Sequence, residues 1–92
     1  MSFSESFIER AWERQGGRCA GCGISLRLCR WDAHHRKAVQ FGGSDTLRNC
    51  VLLCEGTYND CHLQLGHDGD WRENTVLYDE DLPFLYAGEE GL

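Results

Sequence analysis

All four histidines of this 92-residue chain fall in two stretches. The first, "WDAHHRKAVQFGGSDTLRNCVLLC", spans residues 31–54 and sets His34 beside His35. The second, "CEGTYNDCHLQLGH", spans residues 54–67 and carries His62 and His67. An imidazole titrates near neutral pH, so it can take a proton from water or offer a lone pair to a divalent metal. A lone histidine is usually a satisfied core or surface residue. Two clusters with an Asn between them point instead to a site. The adjacent pair suits a division of labour, one ring holding a metal and the other kept as a base. His62 follows Cys61 directly, so whatever fixes Cys61 also aims that ring. A metal held by few protein ligands keeps open positions for water and phosphate.

The chain has six cysteines. Cys19 and Cys22 enclose two residues, while Cys54 and Cys61 enclose six. Two such pairs brought together complete a closed tetrahedral thiolate site for structural zinc. Disulfides or unpaired thiols are the alternatives. A short chain with a thin core gains folding free energy from a zinc staple. Cys29 and Cys50 remain over; each stands among apolar neighbours and reads as a small buried side chain. A finger that uses the histidines fails on spacing. His34 and His35 are adjacent, and 39 residues separate Cys22 from His62, against about 12–15 in a finger.

These residues need elements to hold them. The chain is long enough for one small domain, 1–92, and not for two. Residues 4–15 have helical spacing, with Phe7, Ile8, Ala11 and Trp12 on one face, and Gly16-Gly17 as a stop. "RCAGCG" is a tight loop whose backbone N–H groups can point at thiolates. "ISLRLCRW" is extended and feeds a strand ending near His35. "RKAVQFGGSDTLR" is a loop, "CVLLC" a second strand, and Cys61 to Gly66 a short helix. The zinc and histidine core therefore covers 19–67. The tail, 68–92, has apolar residues Val76, Leu77, Leu82, Phe84, Leu85 and Tyr86, expected to lie across the core with mobile final residues.

The net charge of −6 argues at first against a nucleic-acid partner. Its distribution is uneven. Residues 1–50 hold eight Lys/Arg against five acids, whereas residues 51–92 hold one Arg against ten acids. Arg27, Arg30, Arg36, Lys37 and Arg48 bracket the first histidine stretch. Scattered charges are by default a solvated surface. A local basic face can still hold phosphate, with modest and salt-sensitive affinity. No stretch approaches the ~20 apolar residues of a membrane span, and no signal peptide is visible. An intracellular, cytoplasmic setting is expected, where cysteine pairs bind metal more readily than they oxidise.

From Cys19 to His67 the sequence resembles the HNH endonucleases. The resemblance rests on the CxxC pair, "HH", the "GGSDTLRN" loop, an apolar strand, and "CH" with a further His. It implies an α+β chain: a small ββα-metal domain, stapled here by zinc and preceded by a helix. By the same resemblance His34 binds the catalytic metal and His35 is the general base. Asn49 braces the loop and orients the base, or reaches the metal. His62 is a metal ligand, and His67 matches an additional ligand of some members. Two departures stand out. Four residues separate His62 from His67, where three are usual, and six separate Cys54 from Cys61, where two are usual. Adjacent strand residues also point to opposite faces, so the chain is expected to bend at the strand end if both histidines are to serve one site. Asp32 shares a face with His34 and could brace a ligand.

The resemblance implies metal-dependent hydrolysis of duplex DNA, with 5′-phosphate and 3′-hydroxyl products. Arg27, Arg30, Arg36 and Lys37 would hold the backbone. Mg²⁺ or Mn²⁺ suits the hydrated phosphate site, and imidazole ligands also suit Zn²⁺ or Ni²⁺. One histidine constellation per chain implies nicking by a monomer. The rival from another class is a zinc-stapled module that binds nucleic acid or protein without cutting. A second rival is a toxin nuclease domain cut from a larger chain, which the initial Met1 and the leading helix disfavour.

Overall fold

The computed structural model describes residues 3–38, 41–56, 59–70, 72–73 and 75–90, with the backbone alone at 90. The expected mobile end lies partly outside these residues, as do Thr57 and Tyr58 in the wide cysteine gap. The fold is α+β. Helix α1 (Glu5–Gln15) precedes strand β1 (Arg30–His35), strand β2 (Cys50–Glu55), helix α2 (Cys61–Gln64) and a last turn of helix, α3 (Ala87–Glu90). Each of the first four stands within a few residues of its expected place. Among the described residues no helix is long and apolar enough to cross a membrane.

Helix α1 stops where the glycines require it. Gly16 takes φ 65°, which costs glycine nothing, and its N–H bonds Glu13 O while Gly17 N–H bonds Trp12 O. This paired arrangement satisfies two carbonyls that the helix would otherwise leave bare.

The two strands pair antiparallel, with His35 opposite Cys50, His34 opposite Val51 and Arg30 opposite Glu55. Alternation then divides the sheet. Trp31 meets Trp12 of α1 on one face, with ring centroids 5.5 Å apart. His34 meets His62 of α2 on the other. Strand β2 runs through the middle, and Cys50, Val51, Leu52, Leu53 and Cys54 are all buried. That burial explains why "CVLLC" is apolar without alternation.

A buried strand must satisfy its outer edge as well. Gln15, fully buried at the end of α1, does so with its side-chain amide. Nε2 donates to Leu52 O at 2.9 Å, and Oε1 accepts the Leu52 N–H at 3.0 Å. Arg14 extends the seal by donating to Cys50 O at 2.7 Å. The tail lies across the core as expected, burying Leu77, Leu82 and Leu85, while Phe84 and Tyr86 stay 37% and 39% exposed. Leu77 N–H bonds Arg36 O, and Phe84 N–H bonds Ala20 O. The tail is thereby tied both to the end of β1 and to the first cysteine loop.

Candidate metal and catalytic site

The two cysteine pairs come together. One sulfur from each of Cys19, Cys22, Cys54 and Cys61 lies within 4.8 Å of the others. A tight hairpin carries the first pair: Cys19 N–H bonds Ile24 O, and Gly23 N–H bonds Cys19 O. Backbone N–H groups face the sulfurs, Cys54 N–H to Cys19 Sγ at 3.3 Å and Cys61 N–H to Cys54 Sγ at 3.4 Å. Across the six-residue gap the Asp60 carboxylate accepts Gly56 N–H at 3.0 Å. Asp60 takes the left-handed conformation, φ 48°, which turns the chain back so that Cys61 reaches the cluster.

Charge within the cluster is uneven. The Cys61 thiol donates to Cys19 and, with the N–H groups of Cys54, Cys22 and Gly21, draws it down to about 5. Burial pushes Cys54 up to about 12, and its role as donor to Cys19 drives Cys61 upward too. Four clustered sulfurs, three of them on buried residues, can share only limited negative charge without a cation; a zinc ion lets all four ionise. The donor set therefore fits a structural metal such as zinc. Neither Cys29 nor Cys50 belongs to it. Cys50 is buried as expected, whereas Cys29 is half-buried, its thiol near Ser25 O at 3.6 Å.

Three histidines form a second cluster. His34, His62 and His67 have ring centroids 5.1 to 5.3 Å apart, and one nitrogen of each lies within 4.8 Å of the others. His34 Nε2 is buried with no hydrogen-bond partner. Burial, helped by the nearby His62, His67 and His35, lowers His34 to about 4. At neutral pH it is an uncharged imidazole with a lone pair to offer. His67 Nδ1 stands 2.7 Å from Glu73 O. A carbonyl can only accept, so Nδ1 carries the hydrogen and the lone pair sits on Nε2. Glu55 Oε1 stands 3.8 Å from His62 Nδ1, and Asp32 lies close enough to group with both. Three converging imidazoles, with His34 neutral at ordinary pH and the His67 lone pair on Nε2, fit a divalent cation.

The four residues between His62 and His67 are accommodated by local unwinding. Gly66 N–H bonds Cys61 O, a wider turn than the α-helical one, and His67 N–H then bonds Leu63 O. Gly66 also makes room. A Cβ there would sit 2.6 Å from His62 O and 3.0 Å from the His34 ring.

His35 does not join this cluster. The sheet stays regular through its pairing with Cys50, so the expected bend is absent and the two rings leave β1 on opposite faces. The His35 ring stacks on Phe3 at 4.1 Å. Its Nε2 lies 2.6 Å from Asp45 Oδ1. Asn49 braces the loop. Its Oδ1 accepts Lys37 N–H at 2.8 Å, and its Nδ2 donates to Lys37 O and Ser44 O at 3.0 and 2.8 Å.

The basic residues are dispersed. Arg36 is turned inward: Nε donates to Leu77 O, and one terminal nitrogen pairs with Asp79. Arg27 lies over the Trp12 ring at 5.3 Å. Arg30 is exposed at the start of β1. Lys37 lines an open cleft of about 460 Å³ together with Arg48, between the loop and the segment at 76–79. Sequence reasoning passed over Phe3, Glu55 and Asp45. Only Asp45 gave a local signal, as the acid of the "GGSD" turn.

A family model described as HNH endonuclease matches residues 19–68, which include both cysteine pairs and all four histidines. No curated protein and no solved structure matches the chain.

Proposed function

Since the chain belongs to the HNH endonuclease family, we propose that it hydrolyses phosphodiester bonds of DNA at the histidine site. The observation that carries this reading is the convergence of His34, His62 and His67 beside a fourth imidazole with separate partners. His34, His62 and His67 would hold a divalent metal. When bound, such a metal stabilises the charge that develops on the phosphoryl oxygens. His35 works from the other face of β1. A carboxylate can only accept from its Nε2–H, so the Nδ1 lone pair is the one available for a proton. His35 takes that proton from a water as the water oxygen bonds phosphorus and the P–O3′ bond breaks. The leaving oxygen takes a proton from a second water to become the 3′-hydroxyl, and His35 returns its proton to solvent. Under this reading the phosphodiester lies along the edge of β1 that β2 leaves unpaired, against both faces of the strand. Lys37 and Arg48 make no ion pair among the described residues, which leaves them for the flanking phosphates.

Each chain has one such constellation and cuts one strand at a time. Supercoiled plasmid with Mg²⁺ or Mn²⁺ should become open circle first, and linear DNA should appear only as nicks accumulate. The rate should rise linearly with enzyme concentration and stop in EDTA. Intact plasmid with every divalent ion tried would refute the activity and leave the non-cutting module as the reading. A rate rising as the square of enzyme concentration would show a dimer at work.

Gly66→Ala tests the cluster separately. The added methyl must displace the His34 ring or the α2 backbone. Divalent-metal affinity should fall by about 10–100-fold, as when the supports of ligands are disturbed. Thiolate zinc content should not change. Calorimetric titration with Mn²⁺ reads the first, and elemental analysis the second.

A further inference from the structure

We propose that Asp45 is a positioning residue for the base: its carboxylate holds His35 by Nε2 and so directs the Nδ1 lone pair at the attacking water. This inference rests on the reading of His35 as the base. An imidazole on a strand end has two nearly equivalent ring orientations, because its outer torsion is broad and roughly two-fold. Stacking on Phe3, at 4.1 Å and 28° between planes, fixes the ring plane. It does not distinguish the two nitrogens. Asp45 does, since only Nε2 stands 2.6 Å from Oδ1. With Nε2 protonated, the tautomer places the lone pair on Nδ1.

The loop is built to hold Asp45 at this point. Asn49 bonds Ser44 O, the carbonyl of the residue before Asp45, and clasps both backbone groups of Lys37 at the other end. Arg36 N–H bonds Asn49 O, which anchors the clasp to the end of β1. The Asn49 side chain thus holds the two ends of the loop that carries Asp45, and its link to His35 runs through that loop. A purely stabilising purpose for the pair is weak. Asp45 is 41% exposed, and exposed ion pairs contribute little to folding.

The test uses the full chain with its metals. Asp45→Ala should lower the rate at saturating DNA by about 10–100-fold, a part of what a base supplies. KM, Mn²⁺ affinity and melting temperature should stay as they are. The ¹⁵N ring spectrum of His35 should lose its hydrogen-bonded Nε2–H signal and become an average of orientations. In the His35→Ala background the Asp45→Ala change should add nothing, because its route to the reaction is gone. An unchanged rate, an unchanged ring spectrum, or an undiminished effect in the double variant overturns the inference. Failure of the underlying reading shows elsewhere, as full activity in His35→Ala alone.

Discussion

His35→Ala should slow DNA cleavage by about 10²–10⁴-fold, the usual worth of a general base, while metal content and melting temperature hold. The separation of the two histidines makes this clean. The His35 ring faces Phe3 and Asp45, away from the imidazole cluster, so its removal takes no ligand from the metal. Its side chain is 14% exposed and leaves Asp45 in solvent at 41%, so no buried charge is stranded. His34→Ala differs in kind. That ring lies inside the cluster with its Nε2 buried, and removing it should cost metal affinity first and activity as a consequence. The two variants should therefore part on a metal titration: His35→Ala binds Mn²⁺ as the parent does, and His34→Ala does not. Full cleavage by metal-defined His35→Ala protein would remove this residue from the mechanism.

Cys19→Ser should cost more stability than any other single change considered. Structural zinc supplies about 10–16 kcal/mol of apparent binding free energy in small zinc-dependent folds at neutral pH. Cys19 is fully buried. Its sulfur accepts the Cys54 N–H and the Cys61 thiol, so it joins the first cysteine hairpin to β2 and α2. Serine offers a shorter, harder donor that zinc does not favour. The expected result is loss of zinc, a melting temperature lower by tens of degrees or no cooperative transition, and rapid proteolysis. Cys29→Ser is the control. That residue lies outside the cluster and is half-buried, so its change should stay within about 0.5 kcal/mol. Cys54 and Cys61 must give up protons to bind zinc, so zinc affinity should fall as pH falls. Mild chelators should leave the closed site loaded and strip the histidine site. Equal loss of stability in both variants would mean that the cluster is not the staple.

What could be read directly was local. The CxxC spacing follows from thiolate geometry, and the extent of α1 from a helical period and a Gly-Gly stop. β2 follows from a short apolar run, and the histidine clusters from residue type alone. Each property is carried by residues near one another in the chain, and each survived folding except that His35 parts from the other three histidines. Distant partners were a different matter. Gln15 reads as an exposed polar residue until β2 needs its bare edge filled. Arg36 reads as a phosphate contact until the tail, some 40 residues on, supplies Leu77 O and Asp79. Glu55 comes behind His62 because the chain turns back between the second pair of cysteines. The extra residue before His67 departs from the usual spacing; a single widened turn at Gly66 keeps the ring in the cluster. Strand alternation showed that His34 and His35 must part, but not which groups would receive them. That choice belongs to packing: buried donors and acceptors must find partners wherever the folded chain brings them, and no spacing along the sequence encodes that distance.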